Sequence, residues 1–195
     1  MQKENLFIAA LIGTGFIAAN ALLAVAGGNR MLKPPGVKNE DDFLARCVSC
    51  GKCMLACPFA SIRIAKIGDG RNAGTPYIDA RKRACRLCED FPCVAACPTG
   101  ALRDIEKRTD VTMGTAVIDE KLCVVYNNGN RCEVCYRSCP LIDEAISIEY
   151  LPRPGDDHHV LFAPIINKDV CVGCGICVER CVVSDPEVAI RIEPR

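Results

Sequence analysis

Tryptophan is absent from the 195 residues, and aromatic side chains make up only 5% of them. A core assembled in the ordinary way from large rings is therefore not available, and something else must supply folding free energy. Net charge is absent too, with 24 Lys and Arg against 24 Asp and Glu. That balance offers no basic excess for a nucleic-acid partner. There are two histidines, adjacent at His158 and His159, and no C-x-x-C-H, so covalent c-type haem is not indicated. Nothing resembles a nucleophile–base pair. Gly68, Gly70 and Gly74 lack the strand–turn–helix context of a nucleotide fingerprint. What the chain does not lack is cysteine.

Sixteen cysteines fall into four blocks of four with none left over. Block one is Cys47-x2-Cys50-x2-Cys53-x3-Cys57, followed by Pro58. Block two is Cys85-x2-Cys88-x4-Cys93-x3-Cys97, followed by Pro98. Block three is Cys123-x8-Cys132-x2-Cys135-x3-Cys139, followed by Pro140. Block four is Cys171-x2-Cys174-x2-Cys177-x3-Cys181, followed by Val182. The C-x2-C-x2-C-x3-C-P run is the ligand pattern of [4Fe–4S] clusters, in which three close thiolates serve one cluster and the fourth reaches a partner cluster. Two residues between ligands let the backbone curl so that successive sulfurs face inward. Gly51, Gly173 and Gly175 stand in such curls, where positive φ and close approach of N–H groups to sulfur are cheap. Proline after the last thiol turns the chain away from its cluster. Four blocks predict four [4Fe–4S] clusters, with all sixteen cysteines as iron ligands and no catalytic residue of the chain's own.

Other uses of cysteine fit less well. Structural zinc takes two separated C-x2-C pairs closing one tetrahedron, not runs of four with a following proline. A disulfide scaffold gives no reason for four near-identical runs. One thioredoxin-like pair leaves fourteen cysteines unexplained. Sixteen thiolates around four oxidised cores add roughly −8 to a neutral chain. Lys52, Arg83 and Arg86, close to ligands in sequence, read either as counter-charges or as solvated surface charge.

The chain divides into residues 1–28, a membrane anchor or uncleaved signal; residues 29–46, a linker; and residues 47–195, a four-cluster domain. From Leu6 to Ala26 runs an uncharged apolar segment of about 31 Å in helical form, the thickness of a bilayer core. Ala24-Val25-Ala26 has the form of a signal-peptidase site, but the run exceeds a usual signal core. Asp41 is a candidate cap for a short helix from Asp42 to Arg46. After each block comes an alternating stretch that predicts a small strand: Ser61–Ile64, Ala101–Arg103, Ala145–Ile148 and Ala189–Ile192. Residues 153–159 read as a polar loop, in which the histidines are either solvent-exposed or placed to touch a quinone or relay protons. The fold class is α+β: loop-rich, duplicated ferredoxin-like two-cluster modules with an N-terminal transmembrane helix.

Beyond the cysteines the chain resembles the NapG/MauM-type ferredoxin-like proteins, associated with periplasmic nitrate reduction and methylamine utilisation. The resemblance rests on Leu32-Lys33-Pro34-Pro35-Gly36, Gly74-Thr75-Pro76-Tyr77, the Glu89-Asp90-Phe91-Pro92 stretch of block two, Met113-Gly114-Thr115-Ala116-Val117, and Arg131 to Pro140 with the long C-x8-C before it. It departs in three places: Met1 to Asn5 carries no arginine pair, Val182 replaces a proline, and the sequence given ends at Arg195. The resemblance implies an electron-transfer subunit that relays electrons from a polytopic, quinol-oxidising membrane partner to a c-type cytochrome or a periplasmic reductase. It implies a periplasmic soluble domain on the inner membrane, whereas Arg30, Lys33 and Lys38 after the apolar run favour the cytoplasmic face. Four-cluster subunits of this kind also imply that block one pairs with block four and block two with block three; adjacent pairing is the alternative. The rival functions are an electron-transfer subunit of another membrane oxidoreductase, of hydrogenase or molybdoenzyme type, and a structural metal-binding protein.

Overall fold

A computed structural model describes residues 30–153 and 155–195. The apolar run from Leu6 to Ala26, read above as a membrane anchor, lies outside the described residues. Among the described residues no helix is long and apolar enough to cross a membrane.

The elements are short because the cysteine loops interrupt them. Helix α1 spans Glu40–Arg46; α2 spans Lys52–Ala56, α3 Pro92–Ala95, α4 Val134–Arg137 and α5 Ile176–Arg180. Each of α2 to α5 carries the third cysteine of its block. The fourth follows at the helix end, where the chain has left helical geometry or is about to. Strands β1 (Ile62–Ile64) and β2 (Pro76–Ile78) pair antiparallel, with Ile62 opposite Ile78. Strands β4 (Ile146–Arg153) and β5 (Asp156–Ile166) form a longer hairpin, and β3 (Gly114–Ile118) pairs with β6 (Ile190–Pro194). The order loop, helical turn, strand thus recurs, and three of the four expected strands are present.

The fourth is not. Ala101–Arg103 forms no strand and makes one main-chain bond of that kind, from the Arg103 N–H to the Gly36 carbonyl at 2.8 Å. Its partner segment cannot extend into a ladder: Pro34 and Pro35 have no N–H, and Gly36 sits at φ +92. In the second half, β3 and β6 close the module with a full five-residue ladder. Two further expectations change. The helix before block one starts at Glu40, and its cap is Asn39, whose side chain accepts from the Asp42 N–H at 3.0 Å; Asp41 lies inside the helix and pairs with Arg71. Residues 153–159 are the closed end of the β4–β5 hairpin, so both histidines lie in β5.

Leu32 to Gly36, assigned by sequence to the linker, is buried. Leu32 joins a core that runs through both halves of the chain and includes Phe43, Leu87, Val94, Met113, Val172 and Ile176. A smaller cluster of Ala116, Val178 and Ile190 lies beneath β3 and β6. Phe43, 1% exposed, is the large ring that ties α1 to this core. Four cysteines, Cys53, Cys85, Cys93 and Cys174, are buried within this core.

Candidate metal centres

Sequence dictates the local curl of each block. The second residue after the first thiol and the second before the third take left-handed backbone: Ser49 and Gly51, Leu87 and Phe91, Gly173 and Gly175. Their φ values run from +41 to +84. Leu87 and Phe91 adopt this at a steric cost of about 1–2 kcal/mol each, which their burial at 0% and 4% exposure offsets. Block three departs from the rule. Glu133 lies at φ −125, and the long loop from Cys123 instead closes on itself through Asn127 N–H to Cys123 O and Gly129 N–H to Val125 O.

The thiols then sort into sets drawn from two blocks each. One hollow of about 390 Å³, partly open, is lined by Cys123, Cys132, Cys135 and Cys181. A second, of about 380 Å³, is lined by Cys139, Cys171, Cys174 and Cys177, with Cys135 standing between the two. A third, of about 340 Å³, is lined by Cys57, Cys85, Cys88 and Cys93. Cys47, Cys50, Cys53 and Cys97 are the thiols that remain; Cys53 belongs to the main core, and Cys47 and Cys97 pack against that core. Adjacent blocks are therefore partners. The expected pairing of block one with four and two with three is overturned. The reason is topological: α2 packs on α3 and α4 on α5, so the fourth thiol of each block is carried past its neighbour's loop.

The donor set fits an iron–sulfur cluster. All sixteen cysteines are free thiols, and the other side chains lining the hollows are almost all apolar. Among the described residues no three Cys, His, Asp or Glu side chains converge on a point that holds a single ion. Each of the three hollows is lined by four or five cysteines, enough thiols for a body that takes four. N–H groups are aimed at sulfur, with Ser61 N–H 3.4 Å from Cys57 Sγ and Ala116 N–H 3.3 Å from Cys171 Sγ. Burial pushes Cys85, Cys93 and Cys135 up to about 12, and Cys53 and Cys174 up to about 11. Cys97 moves the other way: against the raising effect of burial, the Leu102, Thr99 and Ala101 N–H groups and the Thr99 hydroxyl favour its thiolate.

The three basic residues read by sequence near the sets take different positions. Lys52 is exposed, and Arg83 donates to the Phe59 carbonyl at 3.2 Å. Arg86 is half-buried and neutralised by Glu179 at 2.5 Å. Against the raising effect of burial, the Ala84 N–H and Arg86 hold the Glu179 carboxyl below the usual carboxylate range. Sequence reasoning missed Lys33, a buried cation whose Nζ lies 2.6 Å from Asn72 Oδ1, 3.1 Å from Thr75 Oγ1 and over the Phe43 ring. Its position inside the apolar Leu32-Lys33-Pro34-Pro35 stretch was the available signal. Arg81 and Glu179 carried none. His158 and His159 line none of the three hollows; Asp156 accepts both their N–H groups and meets His159 Nδ1 at 2.7 Å.

The 4Fe-4S dicluster domain family matches residues 46–101, the span of blocks one and two. The chain is 46% identical over 173 residues to the ferredoxin-type protein NapG of Escherichia coli, covering 88% of this chain and 73% of that one. It is 44% identical over 168 residues to the methylamine utilization ferredoxin-type protein MauM of Methylorubrum extorquens, covering 85% and 74%. With MauM of Paracoccus denitrificans it shares 40% identity over 188 residues, 95% of this chain and 81% of the other. With three thiol-lined hollows drawn from adjacent blocks and likeness at this level over most of its length, the chain belongs to the NapG and MauM family of ferredoxin-type proteins.

Proposed function

We propose that each of the four thiol sets holds one [4Fe–4S] cluster and that the chain is the electron-transfer subunit of a quinol-oxidising membrane complex. The observation that carries this is the exchange of the fourth cysteine between neighbouring blocks, which gives each hollow four sulfurs. When bound, such clusters supply one-electron exchange. The residues do the rest. The sixteen sulfurs give up their protons and hold iron, the positive-φ curls bring N–H groups against sulfur, and apolar neighbours such as Val125, Ile146 and Ile62 exclude water from the hollows. The chain makes and breaks no bonds in a substrate, and its part is spacing and tuning the sites.

On this reading the apolar run from Leu6 to Ala26 anchors the protein in the inner membrane with the soluble part on the periplasmic side. Electrons pass from a polytopic quinol-oxidising partner to a c-type cytochrome or a periplasmic reductase. The systems served are those of nitrate reduction or methylamine utilisation. The test is anaerobic isolation from membranes with iron and sulfide analysis, EPR redox titration and identification of co-purifying subunits. About sixteen iron atoms per chain and a quinol-oxidising partner are expected. Recovery of a catalytic subunit with no such partner would move the protein to another membrane oxidoreductase.

A further inference from the structure

Blocks two and four meet through their main chains. The Cys85 N–H donates to the Cys174 carbonyl at 3.0 Å, and both cysteines are 8% exposed. Among the described residues no backbone hydrogen bond joins block one to block three or four, or block two to block three. The contact is keyed from both sides. Glu179 on α5 accepts from the Ala84 N–H at 2.6 Å and from the Arg86 guanidinium at 2.5 Å. Arg81 places Nη1 at 2.9 Å from the Val178 carbonyl, which also accepts from the Cys181 N–H, and 3.0 Å from the Cys181 carbonyl, so it binds the end of α5. At Gly175 a Cβ would stand 2.6 Å from the Ala80 Cβ, so the two segments approach more closely than a side chain there would allow.

Resting on the reading that each thiol set is loaded, we infer that the Cys85–Cys174 contact is the electronic junction between the two halves of the molecule and that Glu179 is its positioning residue. The ligand sets are then ordered one, two, four, three, each numbered by the block that gives it three thiols. What crosses the junction is a single electron, with no proton moved and no bond broken; an external reductant supplies it and an external oxidant removes it. Tunnelling decays more slowly through bonds and a hydrogen bond than across a gap, so this bonded path outcompetes the unbonded alternatives. Sets one and three become the ends. Set one reaches the surface at the exposed Cys50, beside Val48 at 64% exposure, and set three does so beside Val182 at 60%.

Pulsed EPR on partly reduced, full-length protein tests the order through spin–spin relaxation between clusters. In the wild type, the sets of blocks two and four are expected to enhance each other's relaxation, and those of blocks one and three are not. Glu179→Ala is expected to lose the two–four enhancement while keeping its iron and the one–two enhancement. Glu179→Gln, which retains an acceptor for Ala84, is expected to restore most of it and serves if the alanine variant fails to load iron. Full iron with equal enhancement between one and four or two and three would overturn the order, and an unchanged two–four signal in both variants would overturn the role of Glu179, each leaving the cluster reading intact. A wild type without iron would overturn the cluster reading and this inference together.

Discussion

At the scale of single residues, thiol partnership has the sharpest consequences. Cys181→Ser is expected to alter the EPR signal of the set containing Cys123, Cys132 and Cys135 and to lower iron from about sixteen to about twelve atoms per chain if that cluster is lost. A change at the set of Cys47, Cys50 and Cys53 instead would bring back the crossed pairing. Leu87→Gly sets two effects against each other. It relieves about 1–2 kcal/mol of left-handed strain but deletes a fully buried side chain worth about 2–5 kcal/mol, so denaturant unfolding is expected to show net destabilisation. Proton chemistry gives a third test. Burial raises Cys85, Cys93 and Cys135 from 9.0 to about 12. A raised thiol contributes stability below 9.0 that is lost as pH rises toward 12, so burial favours protonated sulfur wherever iron is not bound. Iron requires the opposite state, so reconstitution of visible absorption is expected to improve from about pH 7 to about pH 9, and the loaded protein to bleach on acidification. Yields independent of pH would contradict proton release on loading. At this scale the grouping of the thiols into blocks was legible from spacing, but the backbone of Leu87 and Phe91 was not. Nothing in their identity announces a positive φ, which the loop imposes on whatever residue stands there.

At the scale of elements, α1 shows how a short helix is held where its own propensity would not hold it. Asn39→Ala is expected to cost about 1 kcal/mol through the lost cap. Phe43→Ala is expected to cost about 3–5 kcal/mol through the emptied core beneath Lys33, measured on loaded protein by denaturant unfolding. A Phe43 effect no larger than that of Asn39 would mean that α1 is not anchored by its ring. Alternating apolar residues announced β1, β4 and β6, because those strands bury one face. The same pattern failed at Ala101–Arg103 because a strand also needs a partner with free N–H groups, and Pro34, Pro35 and Gly36 offer none. Block four carries a different constraint. A Cβ on Gly173 would lie 2.6 Å from the Gly114 carbonyl carbon, so two main chains touch where sequence showed only separate glycines in a loop and a strand.

At the scale of the whole molecule, three thiol-lined hollows accompany a core with few large rings. Anaerobic removal of iron with a chelator is expected to abolish most ordered structure in residues 47–195, read by circular dichroism and amide exchange, and to do so cooperatively because one core spans both halves. Native-like exchange protection after stripping would mean that the polypeptide core suffices without metal. The keying of Arg81, Arg86 and Glu179 belongs to this scale too, since each residue reads as ordinary surface charge until the two modules are docked.

What the sequence determined by itself is the chemistry: sixteen thiols at ligand spacing, curls with room for glycine, and too little aromatic mass for an ordinary core. These follow from distances of a few residues, which covalent geometry sets without help. Only the tertiary structure decided which blocks share their fourth thiol and which two sets meet across the molecule. Those depend on how α2 packs on α3, α4 on α5 and Cys85 on Cys174. Packing between segments far apart in the chain is governed by buried shape and hydrogen bonding, on which ligand spacing has no bearing.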